Sequence, residues 1–527
     1  MPKYRRDMAL ISAITLFVRL LAALPQAQPN TMDAAYYTVG GQRLAQGYGF
    51  TDPYIWNYLD QPVTLPQPSH LYWMPLPSIL VALSQSIFGV TYRAAQVPFV
   101  LLSSVLPLIA YAVAWQLSRV RRHAWLAALL TIFSAFYLPY WSVPESFAPF
   151  AVFGSLALVL GSREGNKEGS RPGVLAGACA GLAHLSRADG FLLLIPVLIG
   201  AGRGQRNTND HRRRFILHPS AFILTFLGYL LVMAPWFIRN LSVIGAPLSS
   251  AGTQAAWLCN YDELFTYGAR FDVNHLLGCG LDRVLLTRLN GVASGVAHLI
   301  AENGLIFMAL PIAIGLWQTR RRALIRGALI YLGLLFVVMT LVFTFAGDRG
   351  GLFHSTGALL PFFYAAAPIG LDTLIGWIAA RRRTWQIKPA RTVFTLASIG
   401  LAIGLSWFVY RGRVIGADVN DPVWNQADGA SLAIGRALID QGAIDPIVLV
   451  NNPPLFTYHT GLRSIAIPNG DVTMLLAAAR QFGAQWVALD ANRPAGLAEL
   501  YAHPASDPRF RLAALIDGAQ VLQVMAP

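Results

Sequence analysis

Long apolar runs separated by short polar connections make up most of the chain. An α-helix rises about 1.5 Å per residue, so about 20 apolar residues cross a hydrocarbon layer of about 30 Å. The runs that we predict as membrane helices cover residues 8–28, 93–117, 123–142, 146–161, 219–238, 295–317, 324–346, 354–378 and 391–410. The pattern predicts a polytopic α-helical membrane protein.

A further apolar run, at 173–202, is too long for a single crossing, because about 30 residues would form a helix of about 45 Å. The connections on both sides of it are polar and basic, so both should lie on the same side of the membrane. Two short helices that fold back at 186–190 satisfy this condition and bring the total to about eleven membrane helices. Arg187 and Asp189 at the turn either form an ion pair that helps packing or line a functional cavity.

The pattern changes near residue 410, after which the chain is polar enough for a small soluble domain. We predict strands at 447–451, 486–490 and 521–525 and a helix at 471–482. The predicted organisation is a membrane domain at 1–410, with large external loops at 29–92 and 239–294, and an extracytoplasmic α/β domain at 411–527.

Composition agrees with a membrane protein and excludes an ordinary soluble enzyme, since 55% of the 527 residues are hydrophobic and only 13% are charged. The net charge of +14 is spread over short basic clusters between the apolar runs, not gathered into a nucleic-acid surface. By the positive-inside rule these clusters face the cytoplasm. The clusters lie at 3–6, 119–122, 203–214, 320–322 and 381–383. We expect an integral plasma or inner membrane protein with a cytoplasmic N-terminus and an external C-terminal domain.

The three cysteines offer one pairing outside the membrane. Cys179 lies in an apolar run, whereas Cys259 and Cys279 share the second predicted loop. An oxidising compartment would favour a disulfide between these two. The alternative is a pair of free thiols, and the sequence leaves both open.

Two acidic residues stand at outer ends of apolar segments. Asp33 follows the first segment in Thr-Met-Asp-Ala-Ala-Tyr-Tyr, and Glu145 stands in Ser-Val-Pro-Glu-Ser-Phe. Each either starts a helix or serves as a catalytic carboxylate, and the two roles are compatible. We treat Asp33 and Glu145 as candidate catalytic residues.

Polar and aromatic residues on the same predicted side are candidates for substrate binding. An arginine there either reaches the lipid headgroups or holds a phosphate, and an aromatic ring either belongs to the interfacial belt or stacks on substrate. No P-loop, dinucleotide fingerprint or Asp-x-Asp motif is present, which disfavours a nucleotide-sugar donor. The binding candidates are His70, Tyr72, Arg187, Asp189, Arg239, Asn240, Arg349 and His354.

The chain resembles the GT-C superfamily of membrane glycosyltransferases, especially the protein O-mannosyltransferase-like branch that includes the lipid A aminoarabinose transferases. The resemblance rests on Asp33 in the first loop and on the order and sidedness of three motifs. These are Pro-Ser-His-Leu-Tyr-Trp-Met-Pro at 68–75, Leu-Ser-Arg-Ala-Asp-Gly at 185–190, and Pro-Trp-Phe-Ile-Arg-Asn at 235–240 followed by Gly-Ala-Pro. It extends to the external C-terminal domain and covers most of the chain.

The resemblance implies that a sugar moves from polyprenyl phosphate to an acceptor on the external face, with inversion at the anomeric carbon. It assigns the role of general base to Asp33, and His70 is the nearest candidate for a basic residue that holds the donor phosphate. Relatives often have Asp-Glu where this chain has Asp33-Ala34, so a divalent metal beside the base stays open. The acceptor is a lipid, a glycan or a protein. The alternatives to an enzyme are a transporter or flippase of a lipid-linked glycan and a membrane scaffold.

Overall fold

The computed structural model describes residues 2–162, 171–201, 219–345, 349–382, 384–426 and 429–525, and every structural statement below concerns these residues. The predicted basic connection at 203–214 lies outside them. The chain divides into two compact units. The first unit comprises residues 1–25, 96–247 and 287–416, and the second comprises residues 26–95, 248–286 and 417–527.

Within the described residues, helices build the first unit. Its α-helices are Pro2–Ala23, Leu106–Ser118, Arg121–Ile132, Phe147–Gly161, Arg171–Ser186, Leu194–Ala201, Pro219–Ile244, Ala309–Thr319, Ala323–Val337, Gly351–Thr356, Leu360–Ala379 and Ile387–Tyr410. Two further helices, Tyr92–Ser103 and Leu281–His298, begin in the second unit and continue into the first.

Among the described residues, six helical segments are long and apolar enough to cross a membrane. They are Tyr92–Ser118, Pro219–Ile244, Leu281–Asn303, Ala323–Val342, Gly351–Ala379 and Ile387–Ile415. Shorter apolar helices such as Phe147–Gly161 do not reach that length, so the total of about eleven crossings stays a prediction.

The first helix, Pro2–Ala23, contains several ionisable residues, and two of them are buried against other helices of this unit. In Pro2–Ala23, Arg19 is buried and donates to the carbonyls of Ile132 and Thr131 at 3.1 and 3.3 Å. At the start of the same helix, Asp7 forms an ion pair with Arg121 at 2.5 Å. Asp7 therefore has its counter-charge within the protein, and two of the three guanidinium nitrogens of Arg19 donate to backbone carbonyls, which lowers the cost of burying these charges.

The run at 173–202 is interrupted where the sequence predicts a turn. Arg171–Ser186 ends before Arg187, and the 3₁₀-helix Ala188–Leu193 leads into Leu194–Ala201. Gly190 lies so close to the preceding helix that a β-carbon there would be 2.6 Å from the Ala183 backbone. Glycine is thus required for the chain to turn tightly after Arg187.

Two predicted boundaries are wrong. We predict an external loop up to residue 294 and a helix at 295–317, and the structure has different bounds for both. The helix begins at Leu281, continues as a π-helix at Leu299–Asn303 and ends there, and a new helix starts at Ala309. Arg288 lowers the hydropathy of the first turns, yet its guanidinium donates to the Leu341 and Val342 carbonyls at 3.3 and 3.1 Å. The hydropathy pattern missed this part of the helix because the charge is satisfied by tertiary contacts.

A six-stranded mixed sheet forms the centre of the second unit. Its strands, in spatial order, are Tyr54–Ile55, Arg463–Ala466, Ile447–Val450, Trp486–Leu489, Ala519–Val524 and Phe510–Ile516. The first four are parallel, and the last two are antiparallel to their neighbours. Three of the strands and the helix Val472–Phe482 lie in the segments where we predict them.

The sheet also joins segments that are far apart in the chain. Tyr54 of the first predicted loop pairs with Ser464, and Ile55 pairs with Ile465. Residues 26–95 and 248–286, which include most of the two predicted loops, group with residues 417–527 in the second unit, whereas residues 239–247 and 287–294 lie in the first.

The remaining elements of the second unit surround this sheet. Its other α-helices are Met32–Ala45, Leu76–Phe88, Ala251–Gln254, Val273–Gly278, Gly429–Asp440, Pro453–Thr460, Val472–Phe482 and Ala498–Ala502, and Thr51–Asp52 pairs with Gln67–Pro68 as a small antiparallel ribbon. Cys259 and Cys279 form a disulfide with their α-carbons 6.3 Å apart, whereas Cys179 is free.

Candidate functional site

An arginine-centred network lies in the first unit, at the break after Arg171–Ser186. Arg187 Nε donates to Asp189 Oδ1 and to Ser355 Oγ, both at 3.0 Å, and its Nη1 donates to Ser146 Oγ at 3.3 Å. Ser355 also donates to the second carboxylate oxygen of Asp189. The side chains of Arg187 and Asp189 are 18% and 11% exposed. The guanidinium is held in one orientation with a small part of its surface open.

His354 extends this network toward Glu145. Its Nδ1 lies 3.1 Å from Ser146 Oγ, and its ring stacks on Phe147 with centroids 3.7 Å apart. Glu145 is 2% exposed and stands two residues before the helix Phe147–Gly161, whose N-cap is Ser146. A carboxylate oxygen of Glu145 and a ring nitrogen of His354 lie within 4.8 Å of each other. Sequence positions 145, 187, 189 and 354 are thus brought together within the first unit.

The Glu145–His354 pair bears on the question of a metal. Carboxylate oxygen and imidazole nitrogen are both ligands for divalent cations such as Zn²⁺ and Mn²⁺. Two donors are fewer than the three or four that a protein site supplies, so the pair leaves a metal at this point open.

Arg239 and Asn240 lie near the C-terminal end of Pro219–Ile244, and the two residues have different environments. Asn240 is buried and donates to the Pro247 carbonyl at 3.1 Å, which holds the Gly-Ala-Pro turn against the helix. Arg239 lies over the Trp236 ring at 4.8 Å and donates to Asn240 Oδ1 at 2.9 Å. Asn240 therefore has a structural function, and Arg239 is placed by its neighbours on the same helix.

Arg349 lies just before the short helix Gly351–Thr356 that carries His354 and Ser355. Its amide donates to the Phe345 carbonyl at 2.9 Å. Gly350 has φ of +87°, a left-handed conformation that glycine adopts without strain. This turn sets the direction of the helix that carries two members of the arginine network.

Asp33, in the second unit, does not cap its helix. The N-cap of Met32–Ala45 is Thr31, whose hydroxyl accepts from the Ala34 amide at 3.2 Å. Asp33 lies in the first turn, where the helix dipole favours a negative charge. Helix capping is therefore excluded as the role of Asp33. Thr31 caps the helix, and Asp33 is held in the first turn of it.

His70 is enclosed by its own neighbours. Its side chain is buried, Nδ1 lies 2.7 Å from Ser69 Oγ, and Nε2 lies 2.9 Å from Ser78 Oγ. Ser78 donates its proton to the Tyr37 carbonyl, so it accepts from Nε2–H, and Nδ1 accepts from Ser69. Both ring nitrogens are used internally, which favours a structural role for His70 over phosphate binding.

The backbone at His70 depends on a specific partner. It has φ of +61°, which non-glycine residues seldom adopt, and its amide donates to Tyr36 Oη at 2.7 Å. Burial raises the pKa of the Tyr36 phenol, with a smaller contribution from Asp52. Gly40 faces the ring, and a β-carbon there would be 2.8 Å from Ser78 Oγ and 3.0 Å from the imidazole.

Tyr72 belongs to an aromatic cluster in the second unit. Its ring makes an edge contact with Trp56 at 5.2 Å, and Trp56 stacks on Trp73 at 4.1 Å. Tyr36 also contacts Trp73, at 4.9 Å. These contacts support the packing interpretation of Tyr72.

Several polar residues of the first unit were not predicted from the sequence. Glu302, in a predicted membrane segment, lies 2.5 Å from His298 Nδ1, and the next residue, Asn303, donates to Tyr137 Oη at 3.0 Å. An acidic residue within an apolar run was a usable signal for Glu302. Ser146 and Ser355 offered no such signal, because an isolated serine is common in any helix.

A part of the chain matches a known family. Residues 67–238 match the model of the family described as dolichyl-phosphate-mannose-protein mannosyltransferase. This range includes Glu145, Arg187 and Asp189 but neither Asp33 nor His354. No curated protein matches the sequence.

Solved structures with a similar fold cover nearly the whole chain. One is ArnT from Cupriavidus metallidurans bound to undecaprenyl phosphate, with 14% identity, a TM-score of 0.54 and 98% coverage of both chains. Another is the Archaeoglobus fulgidus oligosaccharyltransferase in complex with Zn and sulfate, with 13% identity, a TM-score of 0.56, and coverage of 95% of this chain and 71% of that chain.

A third similar structure is AglB, the archaeal oligosaccharyltransferase from A. fulgidus, in complex with an inhibitory peptide and a dolichol-phosphate. It has 12% identity and a TM-score of 0.51, and covers 92% of this chain and 69% of that chain. At these identities the similarity establishes the fold. Together with the six apolar helices, it confirms a multi-pass membrane protein with the fold that the resemblance implies.

Proposed function

We propose that this chain is a membrane glycosyltransferase of the GT-C type, which transfers a sugar from a polyprenyl-phosphate donor to a hydroxyl group of a lipid, glycan or protein acceptor. The observation that carries the proposal is Arg187. It is a partly exposed guanidinium held by Asp189 and Ser355 at a break between apolar helices, within the segment that matches the mannosyltransferase family. A lipid phosphate is a suitable anion for such a cation.

The reaction makes one bond and breaks one. The acceptor oxygen attacks the anomeric carbon, the bond from that carbon to the phosphate oxygen breaks, and polyprenyl phosphate leaves. Attack from the side opposite the leaving group inverts the anomeric configuration. The acceptor proton passes to a carboxylate, for which we propose Asp33, and general-base catalysis of this kind contributes about 10² to 10⁴-fold.

Arg187 is the proposed cation for the leaving phosphate. Its orientation is set before substrate binds, so little reorganisation is needed as negative charge develops on the bridging oxygen. Arg239 and Arg349 are further candidates for contact with phosphate. Asn240 and His70 are better explained as structural residues, since their polar atoms bond to the protein itself.

Two neighbours support the donor class through their ligands. The ArnT structure holds undecaprenyl phosphate, and the AglB structure holds a dolichol-phosphate and an inhibitory peptide. We extend the lipid-phosphate class, but not a particular sugar or acceptor, to this chain. We also propose that the second unit lies on the external face and that the N-terminus is cytoplasmic.

The test of this function is sugar transfer by the purified full-length protein in lipid nanodiscs. We expect Asp33→Asn to insert and fold normally while transfer from a polyprenyl-phosphate sugar falls by at least about 100-fold. Asp440→Asn, the same change at an exposed helix end, is the matched control and should retain activity. Normal turnover by Asp33→Asn would reject Asp33 as the base. Movement of the lipid-linked sugar across the bilayer without transfer would support the flippase alternative.

A further inference from the structure

Four side chains that can bind a metal converge in the second unit, between Cys259 and Cys279. Cys259 Sγ lies 3.5 Å from His275 Nε2, and the same nitrogen lies 3.1 Å from Glu263 Oε2. The donor atoms of Cys259, His275 and Cys279 all lie within 4.8 Å of one another. With the two sulfur atoms released from each other, a single ion could therefore contact Cys259, His275 and Cys279, and Glu263 lies beside this group through His275.

Local structure presents these donors as two pairs. Cys259 and Glu263 are four residues apart around the 3₁₀-turn Tyr261–Phe265, and the Cys259 amide donates to Glu263 Oε2 at 2.8 Å. His275 and Cys279 are also four residues apart, on and just after the helix Val273–Gly278. Two such pairs joined by a short segment are typical of protein zinc sites.

The second pair is held in position by its neighbours. Asp272 caps the helix by accepting from the His275 amide at 3.0 Å. The Phe271 ring makes an edge contact with the imidazole at 4.8 Å. The direction of His275 toward Glu263 and Cys259 is thus set by the fold of the loop and not by the cysteines alone.

Two of the donor distances fit tetrahedral zinc, whereas the two sulfur atoms are bonded to each other in the structure and would have to separate. With Zn–N and Zn–O bonds of about 2.1 Å and Zn–S bonds of about 2.3 Å, tetrahedral geometry puts N and O about 3.4 Å apart and S and N about 3.6 Å apart. The corresponding distances here are 3.1 Å for His275 to Glu263 and 3.5 Å for Cys259 to His275. Two thiolates, an imidazole and a carboxylate form a ligand set that suits Zn²⁺.

The two cysteines form a disulfide in the structure, and a disulfide and a thiolate-bound metal are alternatives because both use the same sulfur atoms. We propose that, once a two-electron reductant such as a dithiol or a phosphine has converted the disulfide to two thiols, Cys259, Glu263, His275 and Cys279 bind one Zn²⁺ ion. In this binding step each thiol loses one proton as its sulfur binds the metal, and no further electron is transferred. A cross-link does not need His275, so the position of its imidazole, 3.5 Å from Cys259 Sγ and 3.1 Å from Glu263, is the feature that a disulfide leaves unexplained. The loop would be closed in either form.

The test uses the full-length protein in detergent, reduced with a phosphine, freed of reductant without oxygen, and titrated with Co²⁺ as a spectroscopic probe. We expect roughly one Co²⁺ per chain, with thiolate-to-cobalt charge-transfer absorption that excess Zn²⁺ removes. The oxidised protein should show no such absorption. Cys259→Ser should abolish it, whereas Cys179→Ser, at the free cysteine in the first unit, should leave it unchanged.

Variants of the other two proposed ligands distinguish a four-residue metal site from two thiols that bind Co²⁺ by themselves. His275→Gln and Glu263→Gln should each weaken Co²⁺ binding by about 10-fold or more. Zn²⁺ should also raise the melting temperature of the reduced protein and not that of the oxidised protein. Charge-transfer absorption that is absent from the reduced protein, or unaffected by His275→Gln, would overturn the proposal. None of these readouts depends on sugar transfer.

Discussion

Replacement of Arg187 tests whether its side chain binds phosphate or only stabilises the fold through its ion pair with Asp189. Arg187→Ala removes hydrogen bonds to Asp189, Ser355 and Ser146 and leaves the Asp189 carboxylate with Ser355 as a donor. A hydrogen bond to a charged group contributes about 1.5 to 3 kcal/mol. Because both side chains of the ion pair retain some exposure, we expect a loss of stability of about 1 to 3 kcal/mol.

The expected loss of activity is larger than the loss of stability explains. Removal of a preorganised donor to developing charge costs about 10² to 10³-fold in kcat. The double variant Arg187→Ala/Asp189→Asn removes the unpaired carboxylate as well. Its melting temperature should recover toward that of the wild type, while transfer stays as low as in the single variant, because the cation is still missing.

The assays are transfer from a synthetic polyprenyl-phosphate sugar and thermal unfolding of the same preparations in nanodiscs. Arg187→Lys is a useful third variant, since a lysine keeps the charge but not the planar pair of donors. Recovery of both stability and activity in the double variant would refute phosphate binding and reduce Arg187 to the ion pair with Asp189.

Three further predictions follow from single positions. Gly177→Ala should destabilise the protein by about 1 to 3 kcal/mol, because a β-carbon there would lie 1.8 Å from the Thr225 carbonyl, whereas Gly404→Ala, which faces open space, should be neutral in the same unfolding assay. Burial raises the pKa of Asp60 to about 6 despite hydrogen bonds from Ser249 and Asn57. A raised carboxyl pKa means that the folded state binds the proton more tightly, so this contribution to stability is complete below about pH 4 and is lost as the pH rises through about 6. Melting temperatures across this range should show the loss in the wild type and not in Asp60→Asn; equal pH profiles would contradict the assignment. A cysteine at position 420 should react with a membrane-impermeant reagent in intact cells, and reaction only after permeabilisation would reverse the proposed topology.

Local patterns in the sequence were sufficient for much of the architecture. Apolar runs predict helices because the hydrocarbon layer requires a certain length of apolar helix, whatever the rest of the protein does. Strands Ile447–Val450 and Trp486–Leu489 were also predictable from a local pattern, because fully buried strands are short continuous runs of apolar residues. The hydropathy pattern failed to predict a helix where a charged side chain is hydrogen-bonded to a distant segment, as Arg288 is to the Leu341 and Val342 carbonyls.

The partners of the polar residues were decided by tertiary structure alone. Ser355, which the sequence did not single out, completes the network at Arg187. His70 is held in its buried position by hydrogen bonds with Tyr36 and Ser78. The sequence could propose that Cys259 and Cys279 pair, but not that His275 lies beside their sulfur atoms and pairs with Glu263. Hydrophobic periodicity is a property of neighbouring residues, whereas a hydrogen-bond partner or a metal ligand is set by how distant segments pack. The sequence therefore determined the class of this protein and most of its elements, and only the packing of those elements decided which polar groups act together.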